Sequence, residues 1–257
     1  MLEHLAELRT RLLRILVILL ILAILSFFYI KDWFETIFIA PKNLDFVSYQ
    51  LFNSGMQFLG FNPVFIKNIN FNLQNVAMTG QFASHIHLAL MAALVVSLPY
   101  IFWEAWGFLK PALHPHERKY TKNIVFYSSI LLLIGVCFGY FIVTPLSVQF
   151  FGTYQISDAI ENNIYLSSYL EMVVKTTFYT GILFQLPIFI YLLTKIELVN
   201  AELLRKYRRH AFLGILLIAA LLTPPDFITQ IIVGIPLFFL YELSIWVSVM
   251  AGKGRVE

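Results

Sequence analysis

The sequence predicts an all-α integral membrane protein with six transmembrane helices, of which the last two are short. Fifty-nine per cent of the 257 residues are hydrophobic and only 13% are charged, whereas a soluble domain carries roughly 25% charged residues. A soluble surface made from this chain would expose large apolar patches, and a bilayer removes that penalty. Six apolar runs follow one another without an internal repeat, so we interpret residues 1–257 as one membrane domain. The predicted spans cover residues 15–30, 86–106, 124–143, 173–193, 211–223 and 227–241.

Charged residues bound span one, a proline lies inside span two, and a proline follows span three. Span one lies between Arg14 and Lys31. Its apolar run carries no small-residue cleavage site, so we expect it to be retained as a span and not removed as a secretory signal peptide. Span two contains Pro99, where we expect a kink, and span three ends before Pro145.

The last three spans contain polar residues or are short. Span four contains Gln185 and Pro187, and span six contains Pro236; both prolines predict kinks. Span five has 13 residues, and span six has 15 before Glu242. Thirteen helical residues reach about 20 Å, against a hydrocarbon core of about 30 Å. Because neither helix can continue through the Thr-Pro-Pro-Asp turn at residues 223–226, we expect this turn to lie below the membrane surface.

Lysine and arginine lie mostly on one side of the predicted bundle. The side that includes the amino terminus collects 14 of the 18 basic residues, and cytoplasmic segments are the ones enriched in these residues. We therefore predict that this side is cytoplasmic, and six spans return the carboxyl terminus to it. The other side holds Lys31, Lys42, Lys67 and Lys175.

Two longer loops are predicted on the side opposite the basic residues. The first, residues 31–85, is rich in phenylalanine and asparagine. Within it, residues 32–39 suit an interfacial helix with Trp33 at headgroup depth. Residues 68–73 alternate asparagine with apolar residues, which predicts a short β-hairpin. The second loop, residues 147–172, carries acidic side chains.

Two glutamates on the predicted cytoplasmic side are candidates for binding a cationic ligand. Glu7 and Arg11 are one helical turn apart and can pair. Residues 4–12 also place leucines on one helical face, so the segment could instead be an amphipathic anchor whose charges pair only with each other. Glu117 follows span two among basic neighbours, where a local salt bridge is the alternative. Acting together, the two carboxylates would suit a guanidinium group best.

Polar side chains within or next to the spans form a second candidate group. Such groups are costly in lipid and tend to face a bundle interior or a water-filled cavity. Asp226 also suits the N-cap of span six, and Glu242 also suits the point where that span leaves the membrane. The members of this group are Gln185, Asp226, Gln230 and Glu242.

No pattern in the sequence predicts catalysis, a cofactor or a metal site. His85 and His87 are two residues apart, so on a helix they point about 200° away from each other. No zinc-protease motif, phosphate loop or dinucleotide fingerprint occurs. We therefore expect neither a cofactor nor enzymatic activity.

Four sequence motifs are distributed over nearly the whole chain. Residues 4–12 fit the pattern H-L-x-E-L-R-x-R-L, and residues 106–118 fit W-x-F-x-x-P-x-L-x-x-x-E-R. The T-P-P-D turn at residues 223–226 is followed by Gln230, and residues 252–255 form a basic end. Together these motifs resemble those of the TatC family, the signal-peptide receptors of the twin-arginine (Sec-independent) protein translocase. The first two motifs in combination are very specific.

The resemblance implies a cup-shaped bundle in the bacterial cytoplasmic (inner) membrane that recognises the twin-arginine motif of signal peptides on folded cargo. It implies an oligomeric complex with TatA- and TatB-type proteins in the lipid bilayer, transport driven by the proton-motive force, and no nucleotide or nucleic acid. For signal-peptide binding it implies Glu7, Arg9, Phe108, Pro111, Glu117 and Arg118. The residues that suit contact with a partner helix are Gln185, Thr223, Pro224, Asp226, Gln230 and Glu242.

One position in span four departs from the pattern of many relatives. Those relatives have a glutamate where this chain has Gln185. A neutral amide can hydrogen-bond a partner helix, at about 1 kcal/mol or less, but it cannot titrate. A proton-transfer role for this position is therefore not expected.

Three other functions fit parts of the sequence. A small-solute or ion transporter would have pseudo-symmetric halves with broken helices in matching positions, whereas the two short spans here are adjacent at one end. An intramembrane enzyme would need a nucleophile and base, or a metal set, at membrane depth. A structural scaffold would tolerate neutralisation of Glu7 and Glu117, which a receptor would not.

Overall fold

The computed structural model describes residues 2–58, 71–109, 121–157, 162–224 and 226–253, and most of them are helical. The helices are α1 (Leu2–Trp33), α2 (Val47–Phe58), α3 (Gly80–Leu109), α4 (Thr121–Phe138), α5 (Thr144–Thr153), α6 (Leu166–Leu183), α7 (Leu186–Lys195), α8 (Ala201–Lys206), α9 (Arg208–Leu222) and α10 (Phe227–Lys253). The strands are β1 (Asn72–Gln74) and β2 (Asn163–Tyr165). A π-helical turn, Phe34–Ile39, and a 3-10 turn, Ala40–Lys42, follow α1, and a second π-helical turn, Gly139–Val143, joins α4 to α5.

The helices have the lengths and surfaces of a membrane bundle. Five helical stretches of the described chain are long and apolar enough to cross a membrane, and they lie at Leu5–Gly55, Gly80–Phe108, Ile124–Thr153, Leu166–Lys195 and Thr229–Ala251. The helix α9, with 15 residues, is the shorter sixth one. On α1, Leu16, Leu20 and Ile24 recur every four residues, and each is at least half exposed. A continuous apolar face of this kind suits contact with lipid.

The last helix is longer than the predicted sixth span. The prediction ended that span at residue 241, because a charged residue follows. Instead, α10 continues through Glu242 to Lys253, giving 27 residues. The carboxylate is accommodated because Arg208, at the start of α9, donates a 2.7 Å hydrogen bond from Nη2 to Glu242 Oε2. Glu242 therefore marks a contact between α9 and α10 and not a helix end.

Two clusters of buried apolar side chains hold the bundle together. One joins the two long loops to α3 and α6, and its buried members include Tyr49, Phe71, Leu88, Val148 and Tyr169. The other joins the α4–α5 junction to α9 and α10, and its buried members include Val143, Ile215, Ala219, Val233 and Leu237. The loops that connect the spans thus pack against the spans through a shared core.

Three glycines allow α6 to lie close against α4 and the π-helical turn after it. A Cβ added at Gly139 would lie 2.9 Å from the Thr177 Cα and 3.0 Å from the Thr176 carbonyl oxygen. A Cβ added at Gly135 would lie 3.0 Å from the Cα of Gly181. Small residues at such contacts let helix backbones approach closely, and this is how helices associate in lipid.

Replacing Gly139 with alanine is expected to lower the free energy of unfolding by about 1–3 kcal/mol, because the methyl group meets backbone atoms that cannot turn away. The matched control is Gly214→Ala in α9, where an added Cβ has no neighbour within 4 Å. Alanine is the better helix former, so this control should lose no stability. Thermal unfolding of both purified variants in detergent measures the difference. Equal midpoints for the two variants would contradict the close α4–α6 packing.

Two prolines stand in the first turn of a helix, but only one of them follows a break in the helix. Pro187 stands in the first turn of α7, just after the chain breaks at Phe184 and Gln185, which agrees with the expected kink. Pro145 was predicted to follow the end of span three, but the helix continues past it to Thr153 as α5. Pro145 lies in the first turn of α5, directly after the π-helical turn, where a missing backbone N–H is tolerated.

The two long loops pair with each other. Strand β1 pairs with β2 in parallel, with Leu73 opposite Ile164. Residues 68–73 were predicted to form a local hairpin; the residues of that segment up to 70 lie outside the described ranges, and β1 takes a partner from the other loop instead. Both facing side chains are half-buried and pack against the cluster around Tyr169, which accounts for this choice. The helical prediction for residues 32–39 is confirmed by the end of α1 and the π-helical turn.

A buried tyrosine fastens the first loop to the bundle. Tyr49 on α2 is 2% exposed, and its hydroxyl lies 2.9 Å from the Pro41 carbonyl oxygen and 3.1 Å from that of Pro145. A hydroxyl has one proton, so the two carbonyl groups share it. The side chain thereby connects the 3-10 turn of the loop to the start of α5.

Candidate functional site

The first candidate carboxylate is paired within its own helix. Arg11 donates from Nη2 to Glu7 Oε1 at 2.7 Å and from Nε to the same oxygen at 3.0 Å. This is the one-turn pairing expected from the sequence. Glu7 is half-buried, whereas Arg9, also predicted for signal-peptide binding, is exposed.

A second carboxylate, on α3, completes the contact with Arg11. Glu104 Oε2 accepts a 2.8 Å hydrogen bond from Arg11 Nη1, and its Oε1 accepts a 2.7 Å hydrogen bond from the Tyr100 hydroxyl. Arg14 Nη1 lies 3.7 Å from Glu104 Oε1. The Glu104 side chain is only 6% exposed. We call these five residues, Glu7, Arg11, Arg14, Tyr100 and Glu104, the Arg11 cluster.

Glu104 was not among the site residues predicted from the sequence. It lies inside the predicted span 86–106, and an acidic residue inside a span is a sign of a functional or paired group. That rule was applied to Glu242 and could have been applied to Glu104. Its partner could not have been found in this way, because Arg11 is 93 residues away along the chain.

Helix packing places the Arg11 cluster where α1 meets the end of α3. A Cβ at Gly107 would overlap the Arg11 guanidinium group, so glycine at this position leaves the space that the arginine fills. The neighbouring Trp106 is buried and packs with Ile124 and Val125 of α4, which fixes this end of α3. A cavity of 330 Å³ opens beside the cluster and is lined by Ala6, Glu7, Thr10, Arg11 and Arg14.

The remaining residues predicted for signal-peptide binding are only partly placed by the structure. Phe108 is half-buried at the end of α3, next to Gly107. Pro111, Glu117 and Arg118 lie outside the described residues. Their role stays a prediction.

Gln185 forms a closed pair with α4. Its Oε1 accepts a 2.7 Å hydrogen bond from the Ser128 hydroxyl, and its Nε2 donates to the Ser128 carbonyl oxygen at 3.0 Å. Both polar ends of the amide are thus satisfied within the chain at the break between α6 and α7. An ionised carboxylate at this position would face the same carbonyl oxygen without a proton to donate.

Polar side chains at the turn between α9 and α10 form hydrogen bonds within the turn and between these two helices. Asp226 Oδ2 accepts a 3.1 Å hydrogen bond from the Thr229 backbone N–H, so its N-cap interpretation is confirmed. Gln230 Nε2 donates to the Leu216 carbonyl oxygen at 3.0 Å and so joins α10 to α9. Thr223 and Pro224 are buried. These contacts keep the short helix α9 aligned with α10.

The histidines pack as ordinary bundle residues. His85 Nε2 lies 2.7 Å from the Phe27 carbonyl oxygen, and its ring stacks on that of Phe27 with 4.2 Å between centroids. Within the ranges that the structure describes, no three His, Cys, Asp or Glu side chains lie close enough to hold a metal ion.

Comparison with known proteins identifies the family. The family model for the Sec-independent protein translocase protein (TatC) matches residues 3–236. The chain belongs to the TatC family. The TatC protein of Blattabacterium sp. subsp. Periplaneta americana (strain BPLAN) is 38% identical over 255 residues, which is 98% of this chain and 96% of that protein. The TatC protein of Halalkalibacterium halodurans is 31% identical over 250 residues, which is 96% of this chain and 88% of that protein.

A solved structure of the same family has the same fold. A crystal structure described as the twin arginine translocase receptor TatC aligns with a TM-score of 0.71 at 28% identity, over 97% of this chain and 99% of that one. The predictions of a TatC resemblance and of an all-α, six-helix membrane bundle are confirmed. The chain is a component of the Sec-independent protein translocase and a multi-pass inner-membrane protein, and it is not an enzyme.

Proposed function

We propose that this TatC-family chain is the receptor subunit that binds the Arg-Arg motif of signal peptides on folded proteins. The observation that supports this most directly is the Arg11 guanidinium, which bridges the carboxylates of Glu7 and Glu104. The corner between α1 and α3 is therefore chemically suited to hold arginine side chains. Arg9, Phe108, Pro111, Glu117 and Arg118 belong to the same proposed binding region.

Arginine is the ligand that this chemistry favours over lysine. A guanidinium group presents several donors in a planar fork, so it can bond two carboxylates at once. Such charge-assisted pairs are short and about twice as strong as neutral hydrogen bonds. An ammonium group in the same place would act as a point charge and could not bridge both acids in one plane.

The proposed receptor works with TatA- and TatB-type single-span proteins, or with one TatA-like protein in both roles, in an oligomeric complex driven by the proton-motive force. Support comes from the short α9 and the turn after it, where the polar side chains of Thr223, Asp226 and Gln230 lie close to Pro224 in sequence. On this helix, Leu217 is 68% exposed. Lipid covers such a surface on a helix that spans the bilayer, and we propose that a partner's transmembrane helix covers it on the shorter α9. Gln185 and Glu242 are proposed as further points of contact.

We propose that both termini face the cytoplasm. The distribution of basic residues supports this orientation. It places the Arg11 cluster at the membrane surface from which a newly made, folded protein would approach.

Replacing Glu117 or Glu7 with glutamine is expected to weaken binding of an Arg-Arg signal peptide by about tenfold or more, because a charge-assisted bond is lost. A photoreactive residue in place of His116 reports contact with the peptide. Crosslinking should be strong with Arg-Arg and lost with Lys-Lys or in Glu117→Gln. The matched control is Glu202→Gln, a glutamate in the first turn of α8, which should keep full crosslinking.

Two results would contradict the receptor proposal. Equal crosslinking to the Arg-Arg and Lys-Lys peptides would show that the chain does not distinguish guanidinium from ammonium. Full peptide binding by both glutamine variants would show that these carboxylates are not the ligands, and would favour the transporter or scaffold functions.

A further inference from the structure

We propose that Arg11 occupies, in the ligand-free chain, the position that one guanidinium group of the signal peptide takes on binding, and that Glu104 is the main carboxylate of that position. The guanidinium site is the space between Glu7 Oε1 and Glu104 Oε2. Peptide binding would then exchange an internal arginine for an external one. This inference rests on the proposed receptor function and extends it to a residue within α3.

Arg11 is held in the guanidinium site in the way that a bound guanidinium ligand would be held. Arg11 reaches Glu7 through Nη2 and Nε and reaches Glu104 through Nη1, at 2.7–3.0 Å. All three of its guanidinium nitrogens are therefore used. The Tyr100 hydroxyl bonds the other Glu104 oxygen at 2.7 Å and holds that carboxylate in place.

A second arginine lies beside Arg11, so the pair resembles the two arginines of an Arg-Arg ligand. Arg14 lies one helical turn after Arg11, and its Nη1 is 3.7 Å from Glu104 Oε1. The two arginines thus approach the two oxygens of one buried carboxylate from the same face of α1. The two acids, Glu7 and Glu104, balance the two cations, so an incoming arginine pair finds no net negative charge unless an internal arginine leaves.

The exchange is feasible because the site is accessible from the surface. The Arg11 side chain is 21% exposed, and that of Arg14 is 60% exposed. The 330 Å³ cavity beside Arg11 is lined by Glu7 and both arginines. An arginine side chain entering this cavity would reach Glu7 first, and the displaced Arg11 would move into solvent along the exposed face of α1.

An internal competitor weakens the apparent affinity of the ligand. The observed dissociation constant equals the intrinsic one divided by the fraction of chains whose site is free. If Arg11 fills the site in nine chains of ten, removing it should tighten binding about tenfold. A structural arginine with no competing role would have the opposite effect, because its loss would distort the site.

The first test uses a probe that does not depend on the signal peptide. In Arg11→Ala, methylguanidinium should raise the midpoint of thermal unfolding, since it restores a cation between the two acids. The rise should disappear in the double variant with Glu104→Gln. Arg208→Ala is the matched control, because it removes an arginine from an exposed pair with Glu242, and methylguanidinium should not stabilise it. Arg11→Gln, which keeps a donor for Glu104, replaces Arg11→Ala if the alanine variant does not fold.

The second test measures the affinity of an Arg-Arg signal peptide for the 257-residue chain in detergent. Arg11→Ala should bind the peptide about tenfold more tightly than wild type, and Glu104→Gln should bind it more weakly. No rescue by methylguanidinium, or an Arg11 variant that binds no more tightly, would overturn the exchange. In that case the receptor function still holds if wild type prefers Arg-Arg over Lys-Lys. A wild-type chain without this preference would overturn the receptor function and the exchange together.

Discussion

Replacing Tyr49 with alanine is expected to lower the free energy of unfolding by about 3–5 kcal/mol, the range for removal of a large buried aromatic side chain. The ring is 2% exposed and packs against Phe46 with 6.3 Å between centroids. Its hydroxyl joins the carbonyl groups of Pro41 and Pro145. The variant therefore loses both apolar contact and the link between the first loop and α5.

The conservative variant separates these two contributions. Tyr49→Phe keeps the ring and removes the hydroxyl donor that the Pro41 and Pro145 carbonyl groups share, at a cost of about 1 kcal/mol. Tyr154→Ala is the control, because this tyrosine is 59% exposed. Thermal unfolding in detergent gives the three midpoints. If Tyr49→Ala were as stable as Tyr154→Ala, the first loop would not be fastened to the bundle in the way described.

The bundle itself could be predicted from the sequence because lipid imposes a simple rule. Each crossing must be a helix that satisfies its own backbone hydrogen bonds, so apolar runs translate directly into helices. The cap at Asp226 could be predicted for a similar reason, since it depends only on residues within one turn. Family membership followed from motifs whose residues lie close together in sequence.

Contacts between distant segments could not be predicted from local patterns. The pairing of Glu7 with Arg11 follows from their spacing, but the third partner, Glu104, comes from another helix. The alternation around residues 68–73 indicated a strand and could not indicate that its partner lies in the second loop. Glu242 looked like a helix end because its arginine partner lies 34 residues earlier. Glu117, which was predicted to act together with Glu7, lies outside the described residues.

Glu104 is expected to stabilise the fold, because the Arg11 cluster is an internal charge network as well as a proposed ligand site. Replacing Glu104 with alanine leaves the Tyr100 hydroxyl without its acceptor, and it leaves Arg11 Nη1 with only the longer, 3.4 Å hydrogen bond to the backbone carbonyl oxygen of residue 104. Breaking a buried pair costs about 3–5 kcal/mol, and because Arg11 keeps Glu7, we expect a loss of about 2–3 kcal/mol in the free energy of unfolding. Glu104→Gln should lose less, since its amide oxygen still accepts one hydrogen bond.

The comparison that decides the origin of this loss is a double-mutant cycle between Glu104→Ala and Arg11→Met, measured by thermal unfolding in detergent. Residues that share one charge network should show a coupling free energy of about 0.5–3 kcal/mol. Glu171→Ala, which breaks the more exposed pair with Lys175, should lose little stability, because solvent and salt screen such a pair. Additive losses for Glu104 and Arg11 would mean that each side chain contributes through its own packing. A measured coupling would mean that the acid and the arginine stabilise each other, as an exchange with a peptide arginine requires.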